Sequence, residues 1–382
     1  MNAAVAPLPR WRRITIWVLI VLAGLIGLVS ALTVWAKRQA LDTDKWVATS
    51  SRLLEDDEIR GALSLYLVDQ LYANVDVAAE LQARLPPEVK PLAAPIAGGL
   101  RELSVRAADN LLSRPGVQTL WEEANRRAHE AFIRIVDDKG EFLQTGEGDV
   151  VLDLSPIVQQ LADRVGLTEA QVEERLGPDA GRIVIMESDQ LGTAQTAVEL
   201  IRKLSVWLAI AILVLFAIAV YLAQGRRRET LRAVGITLVV VGALLLVIRR
   251  LAGNWIVDTL ASGESVRESA SNAWFIGTDL LAGIAWTAIA YGVILILAAW
   301  IAGPSRPAVS VRQRLAPSLR DRPGLVYAVA GLLYLLVVAW GPTPAFRQPW
   351  SILIFAALTG LGVEAFRRLT IREFPAGTAP AS

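Results

Sequence analysis

Apolar residues follow two different rhythms along this chain. Six stretches are almost continuously apolar: Ile14–Trp35, Leu204–Leu222, Ala233–Ile248, Trp274–Ile301, Gly324–Trp340 and Trp350–Phe366. A helix rises 1.5 Å per residue, so about 20 apolar residues cross the hydrocarbon core of a bilayer. The pattern therefore predicts six transmembrane helices. Ile14–Trp35 runs for 22 residues without a charge. A secretory signal needs only about 7–15 apolar residues, so this segment is expected to be an uncleaved anchor. Ala233–Ile248 is the shortest stretch, and Arg249 and Arg250 are expected to snorkel at its end. Trp274–Ile301 is long enough to tilt or to begin outside the bilayer.

Residues 36–203 show the second rhythm, that of a globular, mostly helical domain. Ile59, Ala62, Leu63, Tyr66, Leu67 and Leu71 recur at helical spacing within 56–74. A helical hairpin follows, turning at Ser113-Arg114-Pro115-Gly116. In its second arm Val117, Leu120, Trp121, Ala124, Ala128, Ala131, Phe132 and Ile135 form one apolar stripe, predicted to be the core face. Glu122–Arg126, Glu123–Arg127 and Glu130–Arg134 are i,i+4 pairs in the favourable orientation. Glu141–Thr145 and Asp149–Leu154, around Gly146-Glu147-Gly148, predict a β-hairpin, and Gly181–Met186 a third strand. Ser188 or Asp189 is placed to cap a helix running without a breaker through Lys203 into the second span. The first span leads towards Thr43–Leu54, with a break expected at Asp42. The expected fold is thus a six-helix transmembrane domain carrying an α+β, mainly helical domain on two helical stalks.

Charge orients this arrangement. Short loops rich in Arg and Lys stay cytoplasmic. Arg10, Arg12, Arg13, Arg226, Arg227, Arg228, Arg232, Arg306, Arg312, Arg314, Arg320, Arg322, Arg367, Arg368 and Arg372 fall on one side. Arg249, Arg250, Arg267 and Arg347 fall on the other, a split of 15 to 4. Both termini, 1–13 and 367–382, are then cytoplasmic, and 36–203 is extracytoplasmic in the plasma membrane. Trp35, Trp207, Trp274, Trp340 and Trp350 fall at the outer interface, as an aromatic belt does. The net charge of +1 hides an acidic outer domain, with 29 acidic residues against 19 basic ones. Such a surface argues against nucleic acid as a partner, since phosphate binding needs a basic face. The chain has no cysteine, which excludes thiolate metal sites, disulfides and Cys nucleophiles.

Candidate chemistry is sparse. No phosphate-binding loop, zinc-protease, nucleophile-elbow or complete EF-hand pattern occurs, and no cofactor is expected. The only histidine, His129, shares a helical row with Trp121 and Asn125. These three residues suit either a binding or proton-transfer site or a polar cluster that locks the hairpin, and the second reading is preferred. Glu55-Asp56-Asp57-Glu58 fits a helix N-terminus better than a cation site. Asp137, Asp138, Glu141 and Asp149 lack calcium-loop spacing and read as a solvated loop. Two acids touch the spans. Leu280–Ile301 is by itself 22 residues, so Asp279 is expected at the outer headgroups; Glu364 is expected to pair with Arg367 at the inner interface.

Leu120-Trp121-Glu122-Glu123-Ala124-Asn125-Arg126-Arg127-Ala128-His129 resembles a motif of uncharacterised actinobacterial integral membrane proteins. So do Val150–Pro156 and Arg182–Ile185, and the resemblance covers 14 to about 303. It implies the six-span layout and no activity. That layout is also similar to half of a resistance-nodulation-division transporter, in which acids in the fourth span relay protons, and to membrane subunits that assist protein export; Asp279, near the outer edge, and the helix-rich outer domain depart from the transporter pattern. The expectation is a non-enzymatic envelope protein, embedded in the lipid bilayer, that binds a protein or small-molecule ligand on its outer side. The alternative is a proton-coupled transporter or an accessory subunit of a transporter or export system.

Overall fold

The computed structural model describes residues 9–86, 89–137, 150–153, 182–186, 188–260, 264–340 and 349–374. They are overwhelmingly helical. In order, the helices are α1 (Arg10–Ala40), α2 (Thr43–Glu55), α3 (Asp57–Asn74), α4 (Val77–Arg84), α5 (Ala93–Leu112) and α6 (Pro115–Val136). After two strands, β1 (Val150–Asp153) and β2 (Arg182–Met186), come α7 (Ser188–Leu222), α8 (Arg227–Leu260) and α9 (Glu264–Gly277). The last four are α10 (Asp279–Ile301), α11 (Arg306–Asp321), α12 (Pro323–Trp340) and α13 (Pro349–Glu373).

Among the described residues four helices are long and apolar enough to cross a membrane: Arg10–Ala40, Gly192–Leu222, Arg227–Thr259 and Asp279–Ile301. Arg306–Asp321 and Pro323–Ala339 reach that standard only as a pair, bent by 113°. The chain therefore has the helices of a membrane protein. Two expected spans differ in detail. Ala233–Ile248 lies inside the longer α8, so Arg249 and Arg250 occupy the interior of a helix. The run Trp274–Ile301 is two helices, because α9 stops at Gly277 and α10 starts at Asp279. The apolar run conceals this break, because Trp274, Phe275 and Ile276 at the end of α9 lead into the apolar α10. Thr278 turns back instead, its N–H and its hydroxyl both donating to the Trp274 carbonyl.

The chain divides into two compact units. The first comprises 1–32, 207–251 and 279–382. Within it Ile16 and Ile20 of α1 pack with Ala219, Ala223 and Val234. Gly225, at φ 80°, makes the tight turn between α7 and α8. A side chain there would be strained, which is why glycine serves. Helices α8 and α10 meet through small residues at heptad spacing. A Cβ on Gly235 would lie 2.7 Å from the Gly292 carbonyl oxygen, and one on Gly242 only 2.5 Å from that of Ala285. Lipid tails are as apolar as leucine, so close backbone approach of this kind is what joins helices in a bilayer.

The second unit comprises 33–206 and 252–278. Aspartates start three of its helices. Asp42 accepts from the Lys45 N–H, Asp56 from Ile59 and Asp76 from Ala79. Each satisfies an amide that the first helical turn leaves free. The expected break at Asp42 and the expected helix start at 55–58 are both present. The unbroken helix expected from Ser188 into the second span is α7. The two arms of the expected hairpin are α5 and α6, but α6 packs chiefly on α2 and α5 on α3. Arg60 of α3 makes one of these joins, donating to Asp109 of α5 and to Asp57, which together hold its guanidinium above its ordinary pKa. Strand β1 pairs antiparallel with β2, with Val151 opposite Val184 and Asp153 opposite Arg182. The other expected arm of the β-hairpin, 141–145, lies outside the described residues.

Candidate functional site

Helix α6 owes its start to Pro115, whose missing N–H costs nothing in the first turn. Its buried face is not the apolar stripe that the spacing predicts. Leu120 is 64 % exposed and Phe132 40 %, whereas His129 is buried. The row Trp121–Asn125–His129, one residue per turn, is the face that meets α2. Polar side chains win that position because α2 and the end of α1 present polar groups there.

Every polar atom of this row that the join requires is engaged. The Trp121 indole N–H donates to the Ser50 hydroxyl at 2.8 Å and to its carbonyl at 3.2 Å. Asn125 is turned back on its own helix, donating to the Trp121 carbonyl at 2.9 Å. His129 Nε2 is 3.2 Å from the Ala40 carbonyl, which only accepts, so Nε2 carries the proton. Nδ1 lies 3.0 Å from the Thr43 hydroxyl, which donates to it in the neutral imidazole. The ring also stacks on Trp46, with centroids 5.1 Å apart. His129 therefore closes the junction between α1 and α2. It does not lock the α5–α6 hairpin, as the sequence suggests.

Charged groups extend the same join. Arg126 reaches across to Asp44 at 2.7 Å and not back to Glu122, and that carboxylate raises the guanidinium pKa. Glu122 instead accepts from Ser51. Arg127 keeps the expected pairing with Glu123. Asp137, expected in a solvated loop, pairs with Arg202 of α7 at 2.7 Å, while 138, 141 and 149 lie outside the described residues.

The other two candidates, Asp279 and Glu364, belong to the first unit. Asp279 opens α10 and is exposed, within Coulombic reach of Arg249. Glu364 of α13 accepts from Arg367 at 2.9 Å, as expected, and also from Arg368 at 2.6 Å and from the Tyr327 hydroxyl. Three partners around one carboxylate make Glu364 a helix-joining group of α12 and α13.

One connection was not foreseen from the residues. Asn272 of α9 donates to both oxygens of Asp56, at 3.1 and 3.2 Å, and Ser269 donates to the Glu58 carbonyl at 2.8 Å. The Trp35 indole N–H bonds the Gly277 carbonyl at the end of α9. The only sequence signal was the polarity of 264–273, which sits badly with a membrane loop so close to a span. Among the described residues no group of three or more His, Asp or Glu side chains could hold a metal ion. Against known proteins, the chain matches no protein-family model, no curated protein and no solved structure.

Proposed function

We propose that the chain is a six-span protein of the plasma membrane with both termini cytoplasmic. Its mainly helical, α+β outer domain binds a partner protein and performs no catalysis. The 15-to-4 arginine split supports the orientation, and the motif around Trp121 supports kinship with actinobacterial membrane proteins. The observation that carries the binding role is on α5. Ile96, Leu100 and Leu103 fall at i, i+4 and i+7 and are 38 %, 39 % and 60 % exposed, with Tyr66 of α3 exposed as well. A periodic apolar stripe left in water is the usual mark of an interaction surface. His129 and Trp121, by contrast, are occupied in joining helices.

The test is a photo-crosslinking residue placed at Leu103, at Tyr66 and, as control, at the exposed Arg127, in native membranes. Adducts of one defined mass at the first two positions, absent at the third, are expected. No adduct, or the same smear at all three, would refute partner binding through this face.

A second reading, a proton-coupled transporter or an accessory subunit, has one observation in its favour. Asp279 faces a basic partner, Arg249, within the first unit. Its test is the Asp279→Asn variant described below.

A further inference from the structure

A wide cleft of about 810 Å³ opens in the first unit between the start of α8, the α10–α11 connection and the end of α13. Four arginines line it, Arg228, Arg312, Arg368 and Arg372, against one acid, Glu373. Two of the four are neutralised in place. Arg312 is 2 % exposed and grips Glu373 through Nε and Nη2 at 2.7 and 2.8 Å, while Nη1 donates to the Ile301 and Gly303 carbonyls. Arg368 donates to Glu364. Arg228 and Arg372 make no ion pair and no side-chain hydrogen bond among the described residues. The floor is therefore rigid, and two uncompensated guanidinium groups stand on its walls.

The cleft's depth follows from the lengths of the apolar stretches. Arg228 lies five residues before Ala233, where the apolar part of α8 begins. Residues 302–304 directly follow the apolar end of α10, and Arg368 and Arg372 come two and six residues after Phe366. At 1.5 Å per residue all are within about 10 Å of the ends of three apolar stretches, which is headgroup depth. A planar guanidinium presents a fork of donors matched to phosphate oxygens.

We propose that this cleft binds the phosphate of an anionic phospholipid headgroup, held between Arg228 and Arg372 above the Arg312–Glu373 pair. The site goes beyond partner binding by the second unit and does not depend on which side of the membrane it faces. Basic pockets between transmembrane helices hold anionic headgroups by this chemistry.

The experiment is native mass spectrometry of the full chain released from nanodiscs of equimolar phosphatidylcholine and phosphatidylglycerol. Wild type should retain phosphatidylglycerol preferentially. At about 1 kcal/mol for each arginine near an anionic lipid, the preference should fall about 5-fold in Arg228→Gln or Arg372→Gln, and about 25-fold in the double variant. Arg314→Gln, an exposed arginine outside the cleft, should change nothing. Equal retention of the two lipids by wild type, which needs no variant to fold, overturns the proposal. So does an equal loss in Arg314→Gln, which would signify bulk charge, or complete displacement of the lipid by millimolar inorganic phosphate, which would make free phosphate the ligand.

Discussion

The indole N–H of Trp121 and the hydroxyl of Ser50 meet at 2.8 Å across 71 residues of sequence, and the same N–H also reaches the Ser50 carbonyl. That contact fixes the register of α6 on α2, because one N–H finds both acceptors only when the helices are aligned along their axes. Trp121 is half-buried, so Trp121→Ala loses less than a fully buried tryptophan does. A cost of about 2–3 kcal/mol is expected, below the roughly 3–5 of a core site. Ser50→Ala should cost about 1 kcal/mol, since the carbonyl acceptor remains. Thermal unfolding of the purified full chain measures both, and equal losses would show that packing of the ring is not involved.

His129 separates shape from hydrogen bonding. His129→Phe keeps the stack on Trp46 but strands the Ala40 carbonyl and the Thr43 hydroxyl. It should cost about 1–3 kcal/mol, the usual desolvation penalty of unpaired buried groups. His129→Gln restores a donor and should recover part of that loss in the same melt. A fully stable His129→Phe with lost cellular function would instead make His129 a functional group.

Asp56 serves two roles, as cap of α3 and as acceptor from Asn272. Asp56→Ala should lose about 0.5–2 kcal/mol for the cap alone, with Asn272 left only its longer bond to Glu58, at 3.3 Å, besides. Asp56→Asn keeps an oxygen to cap the helix, so its loss should be clearly smaller. Hydrogen exchange at residues 57–60 and 269–272 reads the two roles separately. Loosening confined to the first segment in Asp56→Ala would show that the Asn272 link has no strength.

These residues also show what is legible in a sequence. Helices and their starts are legible, because caps such as Asp42 and Asp56 act on amides two or three positions away. The same holds for apolar stretches, whose length is compared with a fixed bilayer. The buried face of α6 was not legible. Its apolar stripe is the stronger periodic signal, yet the side facing α2 is decided by Ala40, Thr43 and Ser50, which no local window includes. The glycine spacing on α8 was visible in principle, since Gly235 and Gly242 lie seven apart, as do Ala285 and Gly292. Its meaning needed the pairing of α8 with α10. The break at Thr278 was hidden by the apolar run around it, and with it the place of α9.

Close approach of α8 and α10 predicts intolerance of side chains at the contact. Gly242→Ala forces a backbone atom to move, since the Cβ would lie 2.5 Å from the Ala285 oxygen. A loss of about 1–3 kcal/mol is expected from such overpacking. Gly283→Ala, where a Cβ meets nothing within 4 Å, should be neutral in the same detergent melt.

Asp279 is exposed at the first turn of α10, where a negative charge favours the helix N-terminus. Asp279→Asn should therefore change stability by no more than about 1 kcal/mol, as for an exposed ion pair. It should also leave any cellular phenotype of the chain intact. Loss of a proton-dependent activity in a folded Asp279→Asn protein would favour the transporter reading.

In the proposed topology the second unit lies outside the membrane and the α7–α8 turn inside. Because the chain has no cysteine, single cysteines at Arg127, Gln224 and Gln313 give a clean measurement with a membrane-impermeant maleimide. Arg127→Cys should be labelled in intact cells, and Gln224→Cys and Gln313→Cys only after permeabilisation. Protection of Arg127→Cys in intact cells, or labelling of Gln224→Cys there, would contradict the proposed topology.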